Sequence, residues 1–235
     1  MLYIILMETI FSKDSNTVNN YTAFFDLDRT ITREISGHEL IKRAFKNGLL
    51  ARSGFVYAIY LSLLYKLNLR DPLKIIDTMA GWVKGISEKA MNELCTEVYL
   101  EILLPSVHEE ARSEILTHKA KGAKLVILSS SLTQICREIS DNLGMDDIIC
   151  SGFEVRDGYL TGNPCGNLCF GDEKAVRLKE YCKRNNMESS SAWYYGDSIS
   201  DLAALSSVGN PVCVNPDKKL KKEAHQRGWK ILWWH

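Results

Sequence analysis

Apolar residues along the chain fall into two rhythms, short unbroken runs and longer stretches that repeat every three or four positions. The unbroken runs read as strands buried on both faces, because a strand with one wet face would alternate. They cover residues 21–27 (YTAFFDL), 124–128 (KLVIL), 191–195 (SAWYY) and 211–214. The first three stop at polar clusters: Asp26 with Asp28, Ser129 with Ser130 and Ser131, and Gly196 with Asp197. Helical periodicity fills residues 106–121, 132–143, 174–185 and 201–207. Strands alternating with helices predict an α/β fold with a parallel sheet covered on both faces. Ligands of such sheets bind beyond the carboxyl ends of the strands, which is where the polar clusters fall.

Residues 31 to about 104 break this alternation. They carry only helical periodicity, at 34–47, 53–66, 72–83 and 87–103, with Pro72 and Pro105 as punctuation. This stretch leaves after the first strand and returns before the second, so it predicts a helical cap over the sheet's carboxyl edge. The domains expected are a cap at 33–104 and a core made of 20–32 and 105–235. In residues 152–162 (GFEVRDGYLTG), Asp157-Gly158 between alternating apolar positions predicts a β-hairpin on the sheet's rim. A basic helix at 217–226 and a last strand within 229–234 complete the chain. The apolar run 1–7 has no basic flank and no small-residue cleavage site, so it reads as a tail, with Met7 an alternative start. No functional residue is expected before Tyr21.

Composition narrows the class. The 235 residues are 46% hydrophobic and 25% charged, close to the globular average. Lys plus Arg equals Asp plus Glu at 29 each, so no overall field draws the chain to nucleic acid or an anionic surface, and an anion site must be local. The short basic cluster from Lys218 to Lys222 reads as a solvated helix face. Seven scattered cysteines without a CxxC pair point to free thiols and a reducing cytoplasm. A zinc site at Cys165 and Cys169 would need further Cys or His ligands nearby.

The polar clusters carry the chemistry. Asp26 and Asp28, two apart in an extended strand, point to one side and can approach one cation or one phosphate; the alternative is a strand that merely ends in acids. Asp197 and Asp201 add two carboxylates beyond another strand. Four acids at one buried edge would repel, and Mg²⁺ is the usual remedy. For Asp201 the alternative is an acid favoured at a helix start. Ser129, with the amides of Ser130 and Ser131, could bind a phosphate at a helix N-terminus or could simply cap that helix. Lys174, at the start of a predicted helix, is badly placed against the dipole; a phosphate would explain it, and a solvated lysine is the alternative.

In this order the motifs resemble the haloacid dehalogenase superfamily, specifically its phosphoserine-phosphatase-like branch with a helical cap. The pattern is DxDxT, a Ser or Thr after the second strand, a later Lys, and GDxxxD. This chain matches it with Asp26, Asp28 and Thr30, then Ser129, Lys174, Asp197 and Asp201. The resemblance covers residue 23 to about 214 and implies a doubly wound, Rossmann-like core with the cap inserted after the first motif. It implies that Asp26 is the nucleophile and that Asp28 is the general acid and then the base. Thr30, Ser129, Ser130 and Lys174 would bind phosphate. Mg²⁺ would be held by Asp26, Asp28 through its carbonyl, and Asp197, with Asp201 in support. The chain departs from the pattern at Arg29, where Gly or Ser is frequent, and at Ser130-Ser131, where phosphoserine phosphatases often carry Gly-Gly. Glu34 lies one position short of their substrate-facing acid, and Arg52 and Arg70 are the candidates for their cap arginine.

The activity expected is Mg²⁺-dependent hydrolysis of a small phosphorylated metabolite such as phosphoserine. The apolar stretch 55–67 (FVYAIYLSLLYKL) is too short to span a bilayer, which needs roughly 20 residues. It predicts a helix packed inside the cap, or an apolar wall for a lipid-like phosphate with transient membrane-surface contact. A dehalogenase would lack the second aspartate of the first motif, and a non-catalytic Mg²⁺ or phosphate-binding module would lack an acid or the lysine; none is missing. The oligomeric state is left open.

Overall fold

Phe24 and Phe25 are both fully buried, yet they belong to different cores on opposite faces of one strand. That two-sided burial is why the strand reads as an unbroken apolar run. The structure, a computed structural model, describes residues 21–66 and 81–235. Strand β1 (Thr22–Phe25) lies at the centre of a six-stranded sheet. On one side it pairs with β2 (Lys124–Leu132), which pairs in turn with β3 (Asp147–Ser151). On the other side it pairs with β6 (Trp193–Gly196), followed by β7 (Asn210–Val214) and β8 (Lys230–Leu232). The order is β3-β2-β1-β6-β7-β8 and every neighbour is parallel. The chain therefore winds one way from β1 and later the other, and the switch falls between β1 and β6. β3 has no counterpart among the sequence expectations, since its apolar run Ile148-Ile149-Cys150 is short.

Ala23, Phe25, Leu125, Ile127 and Tyr195 share one core, and Phe24, Val126, Leu128 and Tyr194 the other. The first is lined by α4 (Glu109–Ala120) and α5 (Thr133–Leu143), the second by α6 (Asp172–Arg184), the short α7 (Leu202–Leu205) and α8 (Lys218–Arg227). Asp217 starts α8 by accepting hydrogen bonds from the amides of Lys219 and Leu220, both at 2.8 Å.

Among the described residues, the segment between β1 and β2 holds helices and turns but no named strand. It contains α1 (Ser36–Lys46), α2 (Arg52–Lys66) and α3 (Glu88–Val98). The helix expected at 72–83 lies outside the described residues except for a 3-10 turn at Gly81–Val83. The long helix expected at 87–103 is regular to Val98, widens into a π turn over Tyr99–Leu103, and finishes as a 3-10 turn at Leu104–Ser106 that contains Pro105. Where the segment leaves and rejoins the core, the two passes are bonded side by side: Arg33 N–H donates to Ser106 O at 2.9 Å and His108 N–H to Ile31 O at 3.0 Å.

The expected hairpin forms as β4 (Phe153–Arg156) and β5 (Tyr159–Pro164), with Asp157 and Gly158 at φ 53° and 79°. It is a separate two-stranded sheet, not an extension of the main sheet's rim. Its partner is the helical segment: Gly85 N–H donates to Leu160 O, Leu160 N–H to Ile86 O, and Glu88 N–H to Gly158 O, at 2.8–2.9 Å.

Candidate active site

β1 and β6 deliver two acids side by side, because the pairing continues one residue past β1: Asp26 N–H donates to Tyr195 O at 2.9 Å. The Asp26 carboxyl is buried and its Oδ1 has no hydrogen-bond partner, although Lys174 Nζ lies 3.1 Å away. Burial, aided by Asp201 and Asp28, pushes its pKa up to about 7 against the pull of Lys174 and Ser129. The turn after Asp26 closes on the Leu27 carbonyl, which accepts from the amides of Thr30 and Thr32. Arg29 takes a left-handed conformation in this turn, φ 61°, which gives a physical reason for glycine to be frequent there. Thr30 is fully buried and its hydroxyl has no partner.

Asp28 faces the helical segment. Its Oδ1 accepts from Ser36 N–H at 2.9 Å and its Oδ2 from Ser36 Oγ at 3.1 Å. Burial raises its pKa, and the bonds from Ser36 and Ser131 restrain the rise. With its one proton given to Asp28, Ser36 Oγ accepts from Ser131 Oγ at 2.9 Å, and Ser129 Oγ lies 3.2 Å from the Ser131 oxygen.

The serines contradict the expected helix cap. β2 runs on to Leu132 with a register shift after Leu128, and the N-cap position of α5 is Leu132, which has no side-chain cap bond. In this extended stretch Ser129 and Ser131 are buried together, whereas Ser130 is exposed, as alternation requires.

Lys174 lies in the first turn of α6 and is buried. Its Nζ donates to Asp201 Oδ1 at 2.6 Å and to Tyr194 Oη at 3.3 Å. Burial alone would lower its pKa, but Asp201 and Asp26 outweigh burial and hold it well above the usual lysine value. The solvated-lysine alternative is thereby excluded.

Asp201 has no exposed surface, and its Oδ1 also accepts from Tyr194 Oη at 2.8 Å. Its Oδ2 accepts from Ser198 N–H at 3.2 Å, forming a capping box, so the helix-start role holds alongside the contacts to Lys174 and Tyr194. Gly196 is required beside it, since an added Cβ would come within 2.8 Å of the Asp201 carboxylate. Asp197 is buried, with Arg29 Nε 3.7 Å from its Oδ2. Burial and the Asp201 and Asp26 charges raise its pKa well above the ordinary value.

Asp26, Asp197 and Asp201 each present an oxygen within 4.8 Å of the others, whereas both oxygens of the Asp28 carboxylate are turned to Ser36. The converging acids outnumber Lys174, and Asp26 Oδ1 is left without a hydrogen bond. A hard, oxygen-seeking divalent cation such as Mg²⁺ fits this donor set. Sequence reasoning missed Tyr194 and Ser36, and gave Ser131 only an amide where the structure uses its hydroxyl. Alternation along β6 puts Tyr194 on the α6 face, the one signal that could have found it; Ser36 gave none beyond its place near a helix start.

Paired acids at the switch point of a doubly wound sheet belong to a known class, and the model of the haloacid dehalogenase-like hydrolases matches residues 23–206; the chain belongs to that family. Its relatives place it among the family's phosphatases. It is 32% identical to a probable phosphatase of Mycobacterium tuberculosis, over 89% of this chain and 74% of the relative. It is 28% identical to a histidinol-phosphatase of Neisseria meningitidis, over 89% of this chain and 97% of the relative. A substrate-bound phosphoserine phosphatase structure shares the fold, with a TM-score of 0.71 and 15% identity over 91% of this chain and 92% of that one.

Proposed function

We propose that the chain hydrolyses phosphomonoesters of small metabolites through an aspartyl-phosphate on Asp26, with phosphoserine as the type of substrate. An Asp26 oxygen attacks phosphorus and the bond to the ester oxygen breaks. Asp28 gives its proton to the departing oxygen. It then takes a proton from the water that attacks the phosphorylated Asp26, which releases inorganic phosphate and restores both carboxyl groups. The observation that carries this reading is the unlike setting of two neighbouring acids. Asp26 has a buried oxygen without a hydrogen bond beside an ammonium, whereas both oxygens of Asp28 are held by Ser36. Unlike settings separate a nucleophile from an acid.

Lys174, Ser129, the unpartnered Thr30 hydroxyl and the main chain of Ser130 would hold the phosphoryl oxygens. Asp26, Asp197 and the Asp28 carbonyl would hold Mg²⁺, which when bound neutralises charge on the transferring phosphoryl group. Asp201 acts through Lys174 and Ser198. The region 33–104 would be the cap that selects the substrate, over a core of 20–32 and 105–235. No described helix is long and apolar enough to cross a membrane. The seven free cysteines fit a cytoplasmic enzyme. Asp26→Asn should abolish Mg²⁺-dependent hydrolysis of an aryl phosphate with the circular-dichroism spectrum unchanged; undiminished turnover would sink the mechanism. A lipid-like phosphate is the second reading, favoured by exposed apolar residues on α2. Turnover of lysophospholipid-type phosphates compared with phosphoserine and histidinol phosphate decides between them.

A further inference from the structure

Helix α2 is apolar on both sides. Its inner side is used: Phe55 stacks on Phe45 with ring centroids 4.4 Å apart, and Ala58 and Leu61 are buried. Its outer side carries Val56, Tyr57, Ile59, Tyr60 and Leu63, each about half exposed or more. These positions recur at helical spacing and form one stripe. No other described helix exposes more than one large apolar residue. A helix apolar all round is normally buried, and a contiguous exposed stripe marks a surface that something covers.

The charge around the stripe says what covers it. Between Glu39 and Asp71 the sequence has Lys42, Arg43, Lys46, Arg52, Lys66 and Arg70 and no acid, in a chain whose net charge is zero. Arg43 is taken by Glu97 and Glu101, and Lys42 by Glu39, while Lys46 and Arg52 are exposed beside the turn that leads into α2. Two copies meeting stripe to stripe with their α2 helices parallel would bring Lys46 and Arg52 of one beside those of the other. An anionic surface would instead neutralise them, and Tyr57 and Tyr60, stacked at 6.2 Å, have the apolar body and polar tip that settle at the level of lipid headgroups.

We propose that the outer face of α2 is a docking surface for anionic phospholipid membranes, with the helix lying along the interface and not crossing it. The docking does not depend on the catalytic reading. The test is co-sedimentation of the full chain with vesicles of phosphatidylcholine alone or mixed with phosphatidylglycerol. The mixed vesicles should retain the protein at least about tenfold better, and added salt should weaken the retention. Replacing Ile59, Tyr60 and Leu63 together with Ser should lower retention by about tenfold or more, with the circular-dichroism spectrum in vesicle-free buffer unchanged. Arg52→Glu should lower it on mixed vesicles only. Retention that ignores lipid charge would overturn the proposal. So would a wild-type dimer, seen by analytical ultracentrifugation, that the triple variant splits while neither form binds vesicles.

Discussion

At Lys174 a buried ammonium meets two carboxylates and a phenol, an arrangement that is stable only as a set. Lys174→Met should remove turnover and also leave Asp26 and Asp201 facing each other without compensation. The expected loss is about 3–5 kcal/mol in the metal-free protein, read from urea unfolding. Tyr194→Phe deletes two hydrogen bonds, one to Asp201 and a longer one from Lys174, and should cost about 2–3 kcal/mol in the same assay. Arg29→Gly should act the other way, gaining about 1 kcal/mol, because the left-handed turn suits glycine and the Arg29 contact to Asp197 is long and largely exposed. Much of this site can be read from the sequence, because Asp26, Asp28 and Asp197 closely follow apolar runs and so sit just past strand ends. For Tyr194 alternation gives the face of β6 it occupies but not its bond to Asp201. Inside a run of buried aromatics its hydroxyl looks like any other core tyrosine, and only the approach of α6 gives it a task.

Among the elements, the strands leading to the acids were legible because two-sided burial leaves no charged residue inside them. The serine stretch was not. Polar residues after an apolar run suggest a helix start, but here β2 pairs with β3 again at Leu132, beyond a register shift, and the serines between the two paired stretches stay extended. The first turn of α1 matters for the same kind of reason: Ser36 links Asp28 to Ser131 and so joins the helical segment to the ends of two strands. Ser36→Ala should lower kcat by about tenfold with little change in KM, since it disturbs the orientation of Asp28 and leaves the phosphate contacts in place. Steady-state kinetics on an aryl phosphate measures both.

Across the whole molecule, one face of the sheet is closed by an aromatic group around His118, whose Nδ1 accepts from Tyr21 Oη and whose Nε2 is bonded to Tyr195 Oη, both at 2.8 Å. Tyr195 in turn donates to Glu114 at 2.6 Å. Burial pushes the His118 pKa down from 6.5 to about 4. The unfolded chain takes up a proton below about 6.5 that the fold refuses until about 4, so stability is full above that window and falls as pH drops through it. The melting temperature should therefore decline from pH 7 towards pH 4.5, and His118→Gln should flatten part of that decline while lowering the plateau. The separate zero-charge composition gives no hint of this; it depends on which aromatic rings meet across the sheet.

The bonds from the hairpin to Gly85, Ile86 and Glu88 give the helical segment a third mounting point besides its two covalent connections. A plate held at two adjacent points can swing freely about the line between them. Held at a third, off that line, it can tilt only if the hairpin bends with it. The position of α1, whose Ser36 holds Asp28, is thus mechanically tied to the stretch between β3 and α6, and a change at the Asp157-Gly158 turn would be felt at Ser36 without touching Asp26, Asp28 or Lys174.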